Sequence, residues 1–114
     1  MLGLSTNLNY YLFNGNVDLR KGIFRLCESI REEMSLDPSD TSNVYMFMSR
    51  NRKVVKILHY ERGFYVLYEK RPVMGRFKKP VFDEVSKCYR IQWSDMAYLT
   101  ESIVVDKMYV SPKD

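Results

Sequence analysis

The sequence is poor in the residues that catalytic and metal sites most often use. It has one histidine, His59, and two cysteines, Cys27 and Cys88, with no Cys-x-x-Cys spacing. His59 stands among apolar and aromatic residues with no partner for a triad or a metal site near it in sequence, so a histidine of the sheet is favoured over a catalytic base. Both cysteines are expected to be reduced and buried rather than redox-active or metal-bound.

Phosphate-binding loops and grouped carboxylates are also missing. The chain contains no glycine-rich nucleotide motif, and its acidic residues are scattered. We therefore expect no enzyme activity, no metal and no cofactor. A nuclease whose carboxylates converge only in the folded chain is the remaining catalytic alternative.

Long apolar segments are absent as well. No run reaches the roughly 18 apolar residues of a membrane span, and the N-terminus lacks the basic and apolar regions of a signal peptide. These features predict a cytoplasmic protein without membrane contact. With 114 residues and 46% apolar content, the chain fits one globular domain over 1–114.

The middle of the chain contains three short apolar runs rich in β-branched and aromatic residues. The runs are 44–48, 54–60 and 64–68. Each is too short for an amphipathic helix and suits a strand, and polar breaks at 49–53 and 61–63 separate them. This pattern predicts a three-stranded antiparallel meander, with Gly63 at a left-handed bulge position of the second hairpin.

The flanking segments predict the remaining elements. Residues 9–13 favour a strand, and 88–93 a further strand followed by a helix capped by Ser94. A helix over 18–34 is indicated by a possible N-cap at Asp18 and an apolar stripe at helical spacing. The stripe is Leu19, Ile23, Leu26, Cys27, Ile30 and Met34. Residues 104–110 fit strand or helix equally. The expected fold class is α+β, a single domain in which an antiparallel β-meander sheet packs with one long N-terminal helix and a short C-terminal helix.

Positive charge is concentrated in the same middle region. Residues 49–90 hold twelve Lys or Arg against four Asp or Glu, while the segments before and after are each slightly acidic. Such asymmetry favours a polyanionic partner, and a solvated sheet face with basic loop tips is the alternative. Strand alternation places Lys56 on the sheet surface near the 49–53 turn.

Two further cations, Arg20 and Lys21, fall in the first turn of the predicted helix, where the helix dipole disfavours them. Either they form a phosphate site at the helix start, or they simply pair with Asp18. The candidate nucleic-acid-binding residues are therefore Arg20, Lys21, Arg50, Arg52, Lys53, Lys56, Lys70, Arg71 and Arg76.

The order of several short motifs resembles one protein family. The motifs are Asp18-Leu19-Arg20-Lys21-Gly22, Val44-Tyr45-Met46-Phe47, Asn51-Arg52-Lys53, Lys70-Arg71 and Gly75-Arg76-Phe77. They resemble the TnpB accessory proteins, encoded by the second open reading frame of insertion-sequence-66 bacterial transposable elements. The resemblance implies a non-catalytic helper in DNA transposition that works beside a separate transposase encoded by the same element. It carries over no catalytic residue.

Together, the charge pattern and the resemblance predict an accessory protein that contacts DNA through a basic sheet and turn face. Little sequence preference is expected, because no recognition helix is evident and phosphate contacts carry no direct sequence information. The alternative is a protein–protein interaction module that docks on the transposase without touching DNA.

Overall fold

The computed structural model describes residues 4–15, 17–82 and 86–104. Its elements in chain order are β1 (Asn9–Phe13), α1 (Ile23–Glu32), β2 (Asn43–Met48), β3 (Val55–Glu61), β4 (Phe64–Lys70), β5 (Arg76–Phe77), β6 (Cys88–Ile91), α2 (Trp93–Glu101) and β7 (Ile103–Val104). Five strands form one sheet in the order β4-β3-β2-β1-β6, and β5 pairs with β7 in a small second sheet. Of the ambiguous segment 104–110, only Val104 lies within the described residues, and it is in a strand.

The predicted meander is confirmed. β2, β3 and β4 pair antiparallel, with Val44 opposite His59 and Ile57 opposite Tyr68. The β3–β4 connection is tighter than expected, because Glu61 still pairs with Phe64. Arg62 and Gly63 make a two-residue turn with φ of 50° and 84°, the left-handed pair of a type I′ hairpin.

The sheet is mixed, so the expectation of an antiparallel sheet is wrong. β1 runs parallel to β2, with Tyr11 opposite Tyr45, and antiparallel to β6, with Leu12 opposite Tyr89. A parallel pair cannot be joined by a tight hairpin and needs a long crossover. Residues 14–42 provide it, and α1 lies within this crossover.

The expected long N-terminal helix is also wrong, and with it the predicted α+β class: the fold is β-rich with two short helices. α1 has ten residues, Ile23–Glu32, and Gly22 stands at its N-cap in an extended conformation. Asp18 caps a separate turn instead, since its carboxylate accepts the backbone N–H of Arg20 at 3.0 Å. The low helix propensity of Gly22 and the cations before it oppose extending the helix to Asp18.

Both faces of the large sheet are covered. On one face, Leu26 and Ile30 of α1 pack with Tyr45, Phe47 and Leu58. On the other, the buried side chains are Tyr10, Leu12, Val44, Met46, Val55, Ile57, Phe77 and Met96. This double coverage explains why β2 is apolar on both sides of its pleat.

The predicted stripe on α1 is confirmed in its centre: Leu26, Cys27 and Ile30 are fully buried, while Ile23 is only partly so. α2 begins two residues earlier than expected. Gln92, not Ser94, is its N-cap, in a capping box with Asp95. None of the helices within the described residues has the length and hydropathy of a membrane span.

Candidate nucleic-acid interface

One end of the large sheet collects segments that are distant in sequence. Because β1 and β2 are parallel, both strands terminate at the same end of the sheet, β1 at Phe13 and β2 at Met48. β4 also ends there, at Lys70, and the antiparallel strands β3 and β6 begin there. The turns that follow or precede these strand ends therefore meet in space. We call this end, where the strands terminate, the basic end of the sheet. The cations placed on it are Arg20, Arg50, Arg52, Lys53, Lys70, Arg71, Arg76 and Lys79.

The opposite edge has a different charge pattern. Asp40 lies in the loop that enters β2, and Glu61 ends β3 next to Arg62. The mixed topology therefore gathers eight cations at one end of the sheet. At the other end, the described residues include the carboxylates of Asp40 and Glu61 together with two arginines, Arg62 and Arg90, and Arg90 donates to Asn9 Oδ1 at 2.7 Å. Such a distribution focuses positive potential where the strand ends meet.

The β2–β3 turn at the basic end is held by its own side chains. The Ser49 hydroxyl accepts the backbone N–H groups of Lys53 at 3.1 Å and Val54 at 3.0 Å, and donates to Asn51 Oδ1 at 2.8 Å. Asn51 Oδ1 also accepts the N–H of Lys53, at 3.0 Å. These backbone donors are thus used within the turn, so an anion would meet side chains, chiefly the exposed Arg50 and Lys53.

Arg52 connects this turn to β5. Its backbone carbonyl accepts the N–H of Phe77 at 2.8 Å, and its guanidinium donates to the Phe77 carbonyl at 3.3 Å. Phe77 is itself buried in the sheet core. The turn that leads into β5 depends on Gly75. This residue has φ of 77°, and the Val104 carbonyl leaves no room for a Cβ there. The contacts place Arg76 beside the β2–β3 turn.

Two neighbouring clefts open at the basic end. The larger, which we call the cationic cleft, has a volume of about 660 Å³, and its lining includes Arg50, Arg52, Arg76 and Lys79. Apolar side chains share this lining: Leu12, Phe13, Met48, Pro80 and Phe82. No carboxylate belongs to its described lining. The cleft therefore combines positive charge with an apolar surface.

The smaller cleft, of about 510 Å³, lies on the other side of the same turn. Arg50 lines both clefts, and in the smaller one it is joined by Arg20, Arg71 and the carboxylate of Asp18. The structure thus brings together five of the predicted residues, Arg20, Arg50, Arg52, Arg71 and Arg76. Lys53 and Lys70 lie on the adjoining turn and strand end.

Some of these cations are paired with carboxylates. Arg20 bonds Asp18 through Nε at 3.0 Å, and these hydrogen bonds lower the pKa of Asp18 to about 2. Lys70 bonds Glu101 at 2.6 Å and lowers the pKa of that carboxyl group. Both pairs are exposed, so solvent screens them and a phosphate can compete for the cations. Lys21 is exposed beside Arg20. It lies outside α1, although the sequence predicted it in the first turn of that helix.

Lys56 lies elsewhere than expected. Strand alternation placed it on the sheet surface, but the residue is only 8% exposed and its ammonium donates to the Leu19 carbonyl. Glu69 lies 3.4 Å from the same ammonium and also binds Arg71 at 2.8 Å, and both cations lower the pKa of Glu69. The expectation of a surface position is wrong, because the crossover between β1 and β2 covers this face. Lys56 instead ties the turn around Leu19 to β3.

Sequence reasoning missed two residues of the cationic cleft. Lys79 belongs to the basic segment that follows Gly75, so its charge was visible, but only the link between Arg52 and Phe77 shows that this segment reaches the cleft. Phe82 had no signal in the sequence. Its ring stacks on Tyr89 of β6, with centroids 3.8 Å apart and planes within 6°.

Of the residues considered for catalysis or metal binding, His59 lies towards the opposite end of the sheet, opposite Val44, whereas Cys88 begins β6 at the basic end, opposite Phe13. His59 is buried, with Nε2 at 3.1 Å from the Thr41 carbonyl. Cys27 is buried and Cys88 partly so, both as free thiols, and burial raises the pKa of each. Within the ranges that the structure describes, His, Cys, Asp and Glu side chains form no group of three placed to hold a metal ion.

Comparison with known proteins gives a family match across most of the chain. Residues 8–109 match the family model described as IS66 Orf2 like protein. A protein of Sinorhizobium fredii (strain NBRC 101917 / NGR234), described as the uncharacterized protein y4hO, is 29% identical over 80 residues, which cover 70% of this chain and 69% of that protein. No solved structure shows a significant match.

Proposed function

Since the chain belongs to the IS66 Orf2-like family, we propose that it is a non-catalytic accessory protein of DNA transposition that contacts DNA through the basic end of its sheet. Family membership associates it with IS66 transposition, and the family is not a known catalytic one. The expected partner is the separate transposase encoded by the same element. The DNA contact is the part that rests on the geometry.

The convergence of cations at the basic end of the sheet is the observation that supports this proposal. Residues from the 18–21 turn, the β2–β3 turn, the end of β4 and the segment around β5 meet there, although up to about sixty positions separate them in sequence. Lys and Arg side chains arranged along one edge neutralise phosphates and release their condensed counterions. Contacts of this kind position a protein on DNA without reading its bases.

The expected number of phosphate contacts follows from the cations that carboxylates leave available. Arg50, Lys53 and Lys79 are exposed and pair with no carboxylate within the described part of the chain. These three contacts alone correspond to a log–log salt slope of about −2.7 on duplex DNA, at about −0.9 per contact, and an exposed paired cation such as Arg71 adds about −0.9 where a phosphate displaces its carboxylate. Binding should therefore be weak and sensitive to salt.

A salt series of fluorescence-anisotropy titrations with duplex DNA tests the proposal. The variant combines Arg50→Ala, Lys53→Ala and Lys79→Ala, three exposed positions where substitution costs little stability. We expect the slope to flatten by about two to three units, near 0.9 for each lost contact. Arg31→Ala is the matched control, because Arg31 is exposed on α1, outside both clefts, and its slope should equal that of the unaltered protein. Undetectable binding at low salt, or equal slopes for variant and control, would remove the DNA contact.

A second candidate function, docking on the transposase without DNA, is favoured by a set of exposed apolar side chains. Phe24, Phe64, Val73, Met74 and Val81 are all more than two-thirds exposed. A pull-down with the transposase, with and without the terminal DNA of the element, separates the two candidates. Capture that needs DNA and is lost in the triple variant supports the DNA contact. Capture that is independent of DNA and unchanged in the triple variant supports docking alone.

A further inference from the structure

We infer that the cationic cleft binds an unpaired nucleotide of a DNA strand, so that the protein prefers single-stranded or locally opened DNA to a closed duplex. The inference rests on the proposed function, since it assumes that DNA is the partner. It adds which form of DNA the site takes and which side chain recognises it.

The lining of the cleft has the two chemistries that an unpaired nucleotide presents. Arg50, Arg76 and Lys79 supply positive charge for the phosphate, while Phe82 and Met48, both partly exposed, supply apolar surface for a base. No carboxylate in the described lining opposes the phosphate. A cleft of about 660 Å³ falls within the range of about 300–1,000 Å³ that is usual for small-ligand sites, so a nucleotide fits its volume.

Phe82 is prepared to act as a stacking platform. Its ring already stacks on Tyr89 with centroids 3.8 Å apart and planes within 6°, so its orientation is held by β6. A base that stacks on an aromatic ring in a cationic groove is the usual basis of binding to single strands without sequence preference. Because every base has a π-face, no base-specific hydrogen bond is needed.

The rest of the cleft is also held in place before a ligand arrives. The Ser49 hydroxyl and the Asn51 carboxamide fix the turn that carries Arg50. Two hydrogen bonds between Arg52 and Phe77 hold the segment that carries Arg76. A preformed site loses less conformational entropy on binding.

A closed duplex can use only part of this site. Its phosphates lie on the outer surface and can meet the cations of the rim, but its bases remain stacked inside the helix. Reaching Phe82 requires a base that is already unpaired or has been turned out of the stack, which costs energy in a closed duplex. The cations therefore serve both forms of DNA, and Phe82 serves only the unpaired form.

The test compares one oligonucleotide as a single strand and as a duplex, at equal phosphate concentration and salt, by fluorescence anisotropy. The unaltered protein should bind the single strand at least about fivefold more tightly, the lower end for one base–aromatic stack. Phe82→Leu should bring the ratio of the two affinities close to one, and Phe82→Tyr, which keeps an aromatic ring, should retain the preference. Circular dichroism, which does not depend on DNA binding, shows whether the Leu variant is folded.

The outcomes separate this inference from the proposed function. Salt-dependent duplex binding with no preference for the single strand overturns the inference alone, and so does equal loss of both affinities in a folded Phe82→Leu variant. Binding to neither form overturns the proposed DNA contact as well. If Phe82→Leu does not fold, the comparison of the two DNA forms on the unaltered protein decides the question by itself.

Discussion

Lys56 and Arg71 share one carboxylate, Glu69, and we predict that they differ completely in role. The Lys56 ammonium is buried against the Leu19 carbonyl, whereas the Arg71 side chain is 62% exposed. Replacing each by methionine should therefore affect different properties. Lys56→Met should lower stability, and Arg71→Met should lower the salt dependence of DNA binding.

The magnitude for Lys56→Met follows from the groups that it leaves behind. Methionine keeps most of the aliphatic stem, so the packing loss is small. The Leu19 carbonyl loses its partner, and an unsatisfied buried polar group costs about 1–3 kcal/mol. Glu69 is partly exposed and retains Arg71 at 2.8 Å, so it is not left as an uncompensated buried charge. We expect the free energy of unfolding to fall by about 1–3 kcal/mol.

Arg71→Met is the matched control because it removes the other partner of Glu69. The Arg71–Glu69 pair is exposed, and such pairs contribute at most about 1 kcal/mol. If Arg71 contacts a phosphate, its loss should flatten the salt slope by about 0.9. Urea denaturation and an anisotropy salt series on both variants measure the two properties. The reasoning is refuted if Lys56→Met flattens the slope at unchanged stability, since Lys56 would then be a phosphate ligand.

Three further predictions concern the turn at Asp18, the pairing of β5 with β7, and the core. An NMR titration should place the pKa of Asp18 at about 2 in the unaltered protein and closer to 3.8 in the Arg20→Ala variant. Because the pKa is lowered in the folded state, the ion pair stabilises the fold above about pH 4, and this contribution is lost as the pH falls through about 2. Gly75→Ala should lower the free energy of unfolding, measured in urea, by more than about 1 kcal/mol, because φ is 77° and the new Cβ would collide with the backbone of β7. Gly22→Ala is the control and should have a smaller effect, because no atom lies within 4 Å of the new Cβ. Equal effects of the two substitutions would contradict this account. Tyr45→Phe should lower the free energy of unfolding by about 1–3 kcal/mol, because the buried Tyr45 hydroxyl donates to the Asp37 carbonyl and accepts from the Asn43 carboxamide. A spectroscopic titration should find the pKa of Tyr45 at about 12, raised by burial. A pKa near 10 would show that the hydroxyl is not buried.

The meander was predictable because its signals are local. Residues 44–48, 54–60 and 64–68 are short, β-branched and aromatic, and the Arg62-Gly63 turn supplies the conformation that a tight hairpin needs. The pairing of β1 was not predictable in this way. Nothing in 9–13 distinguishes a parallel from an antiparallel neighbour, because that choice depends on where the crossover lies.

The helix start shows how a local signal can be misread. The spacing of apolar residues extends back to Leu19, so it favours a helix from Asp18 onwards. Arg20, Lys21 and Gly22 all oppose that start, and in the structure they form a turn before the helix. The unfavourable residues marked a boundary of the helix.

The candidate site was predictable in charge and not in shape. Counting cations located the basic region of the chain, but the clefts require Arg50 and Arg76 to meet across a fold that the sequence does not reveal. Alternation correctly placed Lys56 on the face shared with Leu58, yet the crossover that covers that face is a tertiary feature.

Chemical-shift mapping by NMR tests the central claim, that the basic end of the sheet is the surface that contacts DNA, most directly. DNA added to the isotope-labelled protein should shift the backbone signals of the 49–54 turn, of Lys70 and Arg71, and of residues 75–82. The signals of Asp40 and of residues 61–63, at the opposite edge, should stay in place. Shifts confined to the opposite edge, or none at low salt, would contradict the account.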